Sequence, residues 1–585
     1  MSPITDGGSM HETSTADLDW TPLAGFDPIA LLTGDASKLR RFILDLAARG
    51  RIVRAEIADG TADDLLKQVE VERPPTTKRL KPLEPVSAEH APFPIPTAWR
   101  WTRLGDICNY GTCEKAGTLT NETWVLDLED VEKDSGSILQ WKTFLERRSE
   151  SDKNVFRKGD VLYGKLRPYL NKVAVADRDG VCTTEILPLR VYGGISAKYV
   201  QLALRSTYFL EYVNSKSYGM KMPRLGTADG RHAPFPLPPL AEQHRIVVRV
   251  EELMKLCDAL EENGRLADEQ HARLVSTLFD ALAGSESAYA LGEHWRRVAE
   301  HFDLLLDRTE AIDVLEQTVL QLAVRGLLVA QDPQEEAASY LMAHIQKERS
   351  VLFGSGLAKR GRELIPVRED EKAFVLPTKW TWARFDDLVR ADKPVAYGVL
   401  VPGPDVPDGI PFVRLGDLSL DSSEALPEKA ISSEIDAQFT RTRLEGGEIL
   451  LGVVGSIGKL GIAPSTWKGA NIARAVSRIV PTSLVDKIFV LTLLQSRFMR
   501  ERFVSDTRTL AQPTLNIGLI RECPTPLPPL AEQRRIVARV EELRRLCADL
   551  RGKLTEARKV QSALTDALVA KALRTQSQQQ PTSNI

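Results

Sequence analysis

At 585 residues, 43% apolar and 27% charged, the chain has the composition of an ordinary folded protein and the length of three or four domains. It holds no run of about 18 uncharged apolar residues, so no membrane-spanning helix is expected. A net charge of −3 excludes a uniformly basic nucleic-acid binder and leaves that task to local basic clusters.

Residues 1–25 are polar and mildly acidic, without the apolar stretch of a signal peptide, and are expected to be flexible. A helical region follows at 26–93. Its FDPIALLTGDASKLRRFILDLAARGRIV, Phe26 to Val53, returns as FDLLLDRTEAIDVLEQTVLQLAVRGLLV, Phe302 to Val329, at a constant offset of 276.

The segment 94–233 opens with PIPTAWRWTRLGDI, where Trp99 and Trp101 alternate after a proline as in a half-buried strand entering a domain. FRKGDVLYGKLRPYLNKVAVA (Phe156 to Ala176) then reads as strand, turn, strand. Trp141 to Lys172 carries nine Lys/Arg against four Asp/Glu, a basic patch of the kind that meets phosphate. KLRPYLNK puts bases and an aromatic in one turn, and SYGMKMPRLG stands just before the segment ends. These two loops supply the candidates Lys165, Arg167, Lys172, Tyr218, Lys221 and Arg224.

The region 234–350 begins with PFPLPPLAEQHRIVVRVEELMKLCDALE, which returns 290 residues later with 20 of 28 positions identical. Pro238–Pro239 and Glu242 are good helix-start chemistry. The spacing of Ile246, Val250, Leu253, Cys257, Leu260, Ala267, Leu274, Leu278 and Ala281 predicts a heptad seam on a helix of about 40 residues, roughly 60 Å long. Gly264 and His271 interrupt it. A seam that narrow needs a partner helix, and an antiparallel one lets the chain return. The second copy of the Phe26 element closes this region.

After a linker at 351–375, the segment 376–523 repeats the PT-x-W-x-W opening at Trp380 and Trp382 and the strand–turn–strand at LEGGEILLGVVGSIGKLGIA. The rest scarcely aligns with the first segment, as expected of related architectures with different surfaces. GVVGSIGK is not a phosphate loop. Val453 stands where glycine is required, Leu460 where Ser/Thr is, and strand-like runs flank it. Bases concentrate at Lys468 to Arg478 and Arg497 to Arg508. The candidates are Ser456, Lys459, Arg474, Arg508, Gln512 and Asn516, the last two able in type to pair with adenine edges. The helix of 524–575 repeats the seam at Ile536, Val540, Leu543, Cys547, Leu550, Leu554, Ala557, Leu564 and Leu568. Residues 576–585 are expected to be a disordered tail.

The six cysteines form no CxxC. Cys257 and Cys547 share one repeat position on the apolar stripe, where a buried small hydrophobe is expected, and a reducing cytoplasm fits. Cys108 and Cys113 lack neighbouring ligands for a metal site. No HExxH, GxSxG or GxGxxG pattern occurs, so no catalytic machinery is expected. The order of the repeats is circular. The middle holds both elements, the N-terminus only the second and the C-terminus only the first, so joined ends would rebuild the middle.

On these motifs (the paired LPPLAEQ-x-RIV helices, the paired LA-x-RG-x-x-V elements and the P-x-x-W-x-W openings) the chain resembles the specificity subunit of Type I restriction–modification systems over nearly its whole length. The resemblance implies an α+β protein with two globular α/β target-recognition domains, separated by two long antiparallel coiled-coil helices in a circular pseudo-two-fold repeat. It implies that each domain reads one half of an asymmetric, bipartite site in double-stranded DNA. Two methylation subunits and restriction subunits are the implied partners. S-adenosylmethionine, ATP and Mg belong to those partners, and the chain itself is expected to bind no cofactor and to be non-catalytic.

Overall fold

The computed structural model describes residues 36–73, 83–148, 151–219, 221–286, 288–359, 364–420, 424–505 and 514–574. The segments 1–25 and 576–585 lie outside them. Among the described residues the frame includes the helices α1 (Ala36–Ala48), α2 (Ala62–Glu72), α3 (Leu240–Ala283), α4 (Thr309–Arg325), α5 (Ala338–Gly354) and α6 (Leu530–Arg574). The long helices α3 and α6 have 44 and 45 residues, close to the length read from the seam. Contacts divide the chain into two compact units, Met1–Asp268 with Gln561–Ile585, and Glu269–Val560.

In the first unit α1 lies on α3, its Ile43, Leu44 and Ala47 sharing a core with Ile246, Val250 and Cys257. Its N-terminal turn reaches the last turns of α6, where Lys38 Nζ is 2.9 Å from both Ser562 Oγ and Asp566 Oδ1. The first and last described helices therefore meet, as the circular repeat requires. In the second unit α4 plays the part of α1. Its Val319, Leu320 and Ala323 pack on Ile536 and Val540 of α6, and its Ala311 and Leu322 on Val275, Phe279 and Leu282 of α3. Asp313 near the start of α4 pairs with Arg551, while Val319 to Ala323 meet the earlier Ile536 and Val540, so α4 runs against α6. Arg325 at its other end donates to the carbonyl of Ala283, the end of α3, so α4 runs with α3. Within this unit the two long helices are therefore antiparallel.

The charges on these contacts are exchanged between copies. Arg40 of α1 meets Asp258 and Glu261 of α3 at 2.7 and 2.6 Å. At the equivalent contact, Asp313 and Glu316 of α4 meet Arg551 of α6 at 2.6 and 3.3 Å. Position 40 corresponds to 316 and position 261 to 551, so the acid and the base have changed places.

Cys257 and Cys547 are buried, as expected of the seam. Its far ends are corrected. Leu274 is 52% exposed and Ala267 and Ala281 are exposed, whereas Val275, Phe279 and Leu282 are buried. Ala557, Leu564 and Leu568 of α6 are likewise exposed. A straight α-helix drifts by about 20° per heptad against a 3.5-residue repeat, so the buried face slides by a residue over several turns.

Three repeated motifs converge where each inserted domain joins the frame. The glycine of LA-x-RG ends the short helix in the left-handed region, Gly50 at φ +66° and Gly326 at +72°. No side chain fits there: a Cβ on Gly50 would stand 2.6 Å from Pro96 and 2.9 Å from Trp99, and one on Gly326 would stand 2.5 Å from Pro377 and 2.9 Å from Trp380. The Trp99 indole in turn donates to the buried Glu242 at 2.9 Å. Gln243 accepts the N–H of Ser196 at 2.9 Å and donates to the carbonyl of Pro238 at 2.9 Å. Gln533 repeats both bonds, to Asp486 N–H and Pro528 O, at 2.8 and 2.9 Å.

The first domain is entered by β1 (Arg100–Arg103) and contains β2 (Trp124–Leu126), β3 (Lys142–Thr143), β4 (Lys153–Phe156), β5 (Val161–Gly164), β6 (Val173–Val175), β7 (Gly180–Thr183) and β8 (Ile186–Leu189), with β9 (Pro234–Leu237) as its exit. The second has β10 (Thr381–Arg384), β11 (Ala396–Tyr397), β12 (Ile410–Val413), β13 (Ala430–Ile431), β14 (Ile449–Gly452), β15 (Leu460–Ile462), β16 (Asn471–Ile472), β17 (Val476–Ile479) and β18 (Pro524–Leu527). Entry and exit pair antiparallel in both, β1 with β9 and β10 with β18. Pro234 to Leu237, expected only as the approach to a helix, is thus a strand. Its prolines are tolerated because a two-stranded ribbon is all edge.

Beyond the ribbon, the same six-strand core appears twice under different sequences, with β4 added in the first domain and β11 in the second. The sheets are β3-β2-β7-β4 and β6-β5-β8 in the first domain, β13-β12-β16 and β11-β17-β14-β15 in the second. The β5–β6 and β14–β15 hairpins are the strand–turn–strand patterns of the sequence, and β2 with β7 matches β12 with β16 as the parallel pair.

Candidate nucleic-acid interface

In the first domain Gly164 at the end of β5 faces Ile186 at the start of β8, so the β5–β6 turn and the β7–β8 turn share one end of the sheet. Lys165 N–H donates to Glu185 O at 3.0 Å across it. The loop before re-entry joins them edge to edge: Leu225 N–H donates to Lys165 O at 3.1 Å, and Arg167 N–H to Pro223 O at 2.7 Å. Tyr218 and Arg224 exchange backbone bonds of 3.2 and 2.9 Å around Gly219, whose φ is +104°. The two loops singled out from the sequence are therefore one surface.

Its side chains divide into two kinds. Arg167, Tyr169, Tyr218, Lys221 and Met222 are exposed, and Arg167 is held at φ +49°, a left-handed conformation uncommon for a side chain of its size. Arg224 is half-buried and grips Glu185 through two bonds of 3.1 Å, which holds its guanidinium above the usual range. Lys172 turns back into the fold, its Nζ 2.7 Å from Leu128 O. Tyr169, Met222 and Glu185 were not among the sequence candidates.

The second domain repeats this construction. Gly452 faces Val476, Leu515 N–H donates to Val453 O at 2.9 Å, and Val454 bridges Thr514. Ser456 and Lys459 lie on the β14–β15 turn, with Gly455 at φ +76° and Gly458 at +85°. Lys459 repeats the role of Lys172, its Nζ 3.0 and 3.1 Å from the carbonyls of Leu415 and Gly416. Asn516 is an N-cap, its oxygen accepting Gly518 N–H at 2.8 Å. Arg474 is exposed two residues before β17. Arg508 and Gln512 lie outside the described residues.

Much of the basic clustering serves the fold. Arg147 is buried against Asp127 and Asp130, and Arg478 donates to Arg443 O at 3.1 Å. Arg497 and Arg500 face helices of the frame, bonded to Asp280 at 2.7 Å and Gln317 at 3.1 Å, and Arg502 donates to Glu371 O at 2.6 Å.

β11 adds one more strand to this end. It runs antiparallel to β17, Tyr397 facing Ser477, so the chain leaving β11 emerges beside Arg474. That stretch, Gly398 to Val401, exposes Leu400 and Val401, which no periodicity in the sequence had marked.

A protein-family model described as the Type I restriction modification DNA specificity domain matches residues 96–268 and 405–557. The specificity subunits of the Type I restriction enzymes EcoAI and EcoEI of Escherichia coli are each 29% identical to the chain, over 92% of it and 93% of their own length. A chain solved in work on the assembly and conformational transition of the type I R-M system is 21% identical, covering 82% of this chain and 99% of that one, with a TM-score of 0.44. Among the described residues no helix is long and apolar enough to cross a membrane.

Proposed function

The chain belongs to the Type I restriction–modification specificity family, and from that premise we propose that it selects a bipartite, asymmetric DNA site, each recognition domain reading one half. In this reading it carries no catalytic group of its own. It brings two methylation subunits, and with them restriction subunits, to the DNA, and S-adenosylmethionine, ATP and Mg are held by those partners in the cytoplasm.

One observation carries the reading. In both domains, at the sheet end reached by the β5–β6 or β14–β15 turn, loops distant in sequence are bonded edge to edge and present exposed basic side chains. Arg167, Lys221 and Arg474 are suited to phosphate, which gives salt-dependent affinity without sequence choice. Tyr218, Ser456 and Lys165 stand among them as candidates for base edges. Lys172, Lys459 and Asn516 are engaged with the fold and act through the shape of their turns, and Arg224 acts with Glu185. Two linked half-site readers multiply their affinities through effective concentration, so neither half alone need bind tightly.

The test is the methylome of a host carrying the gene, its partners and a chain in which 94–233 is replaced by the equivalent segment of a relative. One half of the modified motif should change and the other persist. Change in both halves, or in neither, defeats the reading. Purification without any methylation subunit would point instead to a stand-alone DNA-binding protein.

A further inference from the structure

We propose that Leu400 and Val401 read the 5-methyl edge of thymine in the half-site assigned to the second domain. The inference rests on the DNA-recognition reading and deepens it.

The two side chains are 56% and 71% exposed, whereas Val399 beside them is buried. Scattered exposed aliphatics need no explanation. This pair differs because the backbone holding it is pinned on both sides. Val399 N–H donates to Ile472 O at 2.8 Å, and Arg474 N–H donates to Val399 O at 2.9 Å. Gly398 lies so close to β16 that a Cβ there would stand 1.7 Å from Ile472 O. On the far side Lys429 Nζ reaches Gly403 O at 3.2 Å, and Ala430 N–H donates to Asp405 at 2.9 Å. Pro402 and Pro404 stiffen what lies between.

The segment thus presents two aliphatic groups to solvent from a fixed backbone. The strand register places them at the same sheet end as Arg474 and Ser456. A cation next to rigid aliphatics suits a ligand that is anionic overall and carries small apolar groups at fixed places. Duplex DNA is such a ligand, and the thymine methyl is the apolar group among the base edges of its major groove.

The experiment uses the complex with its partner subunits and a duplex carrying its own methylation motif. The half that survives exchange of 94–233 is the one read by the second domain. Deoxyuridine in place of thymine in that half removes only the methyl, and should weaken wild-type binding about fourfold per methyl contacted. The L400S/V401S complex should bind the normal duplex more weakly and be indifferent to deoxyuridine, while keeping its partners and its melting temperature. A half-site with no A·T pair overturns the assignment, as does a wild type indifferent to deoxyuridine or a variant that keeps the full deoxyuridine penalty. A variant that loses its partner subunits in the absence of DNA overturns it in favour of a protein contact. A wild-type complex with no preference for its motif duplex overturns the DNA reading itself.

Discussion

Where the first domain meets the frame, Trp99 is buried with its N–H on Glu242, and burial still leaves that carboxyl above the usual range. In the second domain Glu532 takes the amide of Gln331 at 2.6 Å, and the Trp380 N–H is buried beside it without a hydrogen bond of good geometry. At the opposite ends the difference is larger. The first domain presents Arg167, Tyr169, Tyr218 and Lys221, the second Arg474, Ser456, Leu400 and Val401. The motif residues are shared at the junction because they join a domain to a helix, and every alternative there costs packing. The outer loops answer only to what they contact, and there the two domains share the path of the backbone and little else.

The junction gives the sharpest comparison. Trp99→Ala should cost about 3–5 kcal/mol in denaturant unfolding, as for other buried large aromatics. Trp380→Ala should cost less, because its N–H makes only a poorly aligned contact with Glu532. Equal losses would show that Glu242 adds nothing to the packing.

The ion pairs behind each entry strand differ next. Asp386 is buried between Arg349 and Arg521 at 2.8 Å each. In the first domain Gly105 stands at the corresponding position, and Arg73, the counterpart of Arg349, pairs instead with the part-exposed Asp106 at 3.0 Å. Asp386→Ala leaves two guanidiniums without their acid and should cost about 3 kcal/mol or more, whereas Asp106→Ala should cost under about 1. Burial alone would raise the Asp386 carboxyl, but Arg521 and Arg349 hold it below the usual range. Its stabilisation is therefore complete above the unfolded value and disappears as pH falls through the lower folded one. Melts of Asp386→Asn against wild type should converge only in strong acid.

The smallest effect concerns one hydrogen bond made by an acid in one copy and an amide in the other. Asp45 accepts Thr207 N–H at 2.7 Å, and Gln321 accepts Phe498 N–H at 3.2 Å. Burial raises the Asp45 carboxyl, so its contribution falls as pH rises from the unfolded value through the folded one. Asp45→Asn should raise stability at neutral pH by up to about 1 kcal/mol and change nothing in strong acid, where both are neutral. A neutral-pH loss would mean that the charge itself holds Thr207.

What was legible in the sequence follows the same division. The repeats placed both long helices and the hairpins, since those depend on residues whose job is local or duplicated, and they marked the glycine and tryptophan motifs without showing that the two meet. Pro234 to Leu237 was misread as a helix approach because proline argues against a strand unless its only neighbour is known. The slide of the seam from Leu274 to Val275 depends on accumulated helical twist. Lys172 and Lys459 looked like ligand groups, but each closes on a carbonyl 44 residues away in the chain, a partner no local pattern shows. Arg497, Arg500 and Arg502, within the basic cluster Arg497 to Arg508, likewise meet partners distant in the sequence.

The exchanged charges of Arg40 with Glu261 and Glu316 with Arg551 bear on how the two copies came to differ. Each half carries both members of its own pair, and exchanging the short helices between the halves would bring Glu316 against Glu261 and Arg40 against Arg551. Each contact is exposed and weak alone, yet together they favour each short helix on the long helix of its own half. A duplication that began with interchangeable helices has become two plugs, each cut for its own socket.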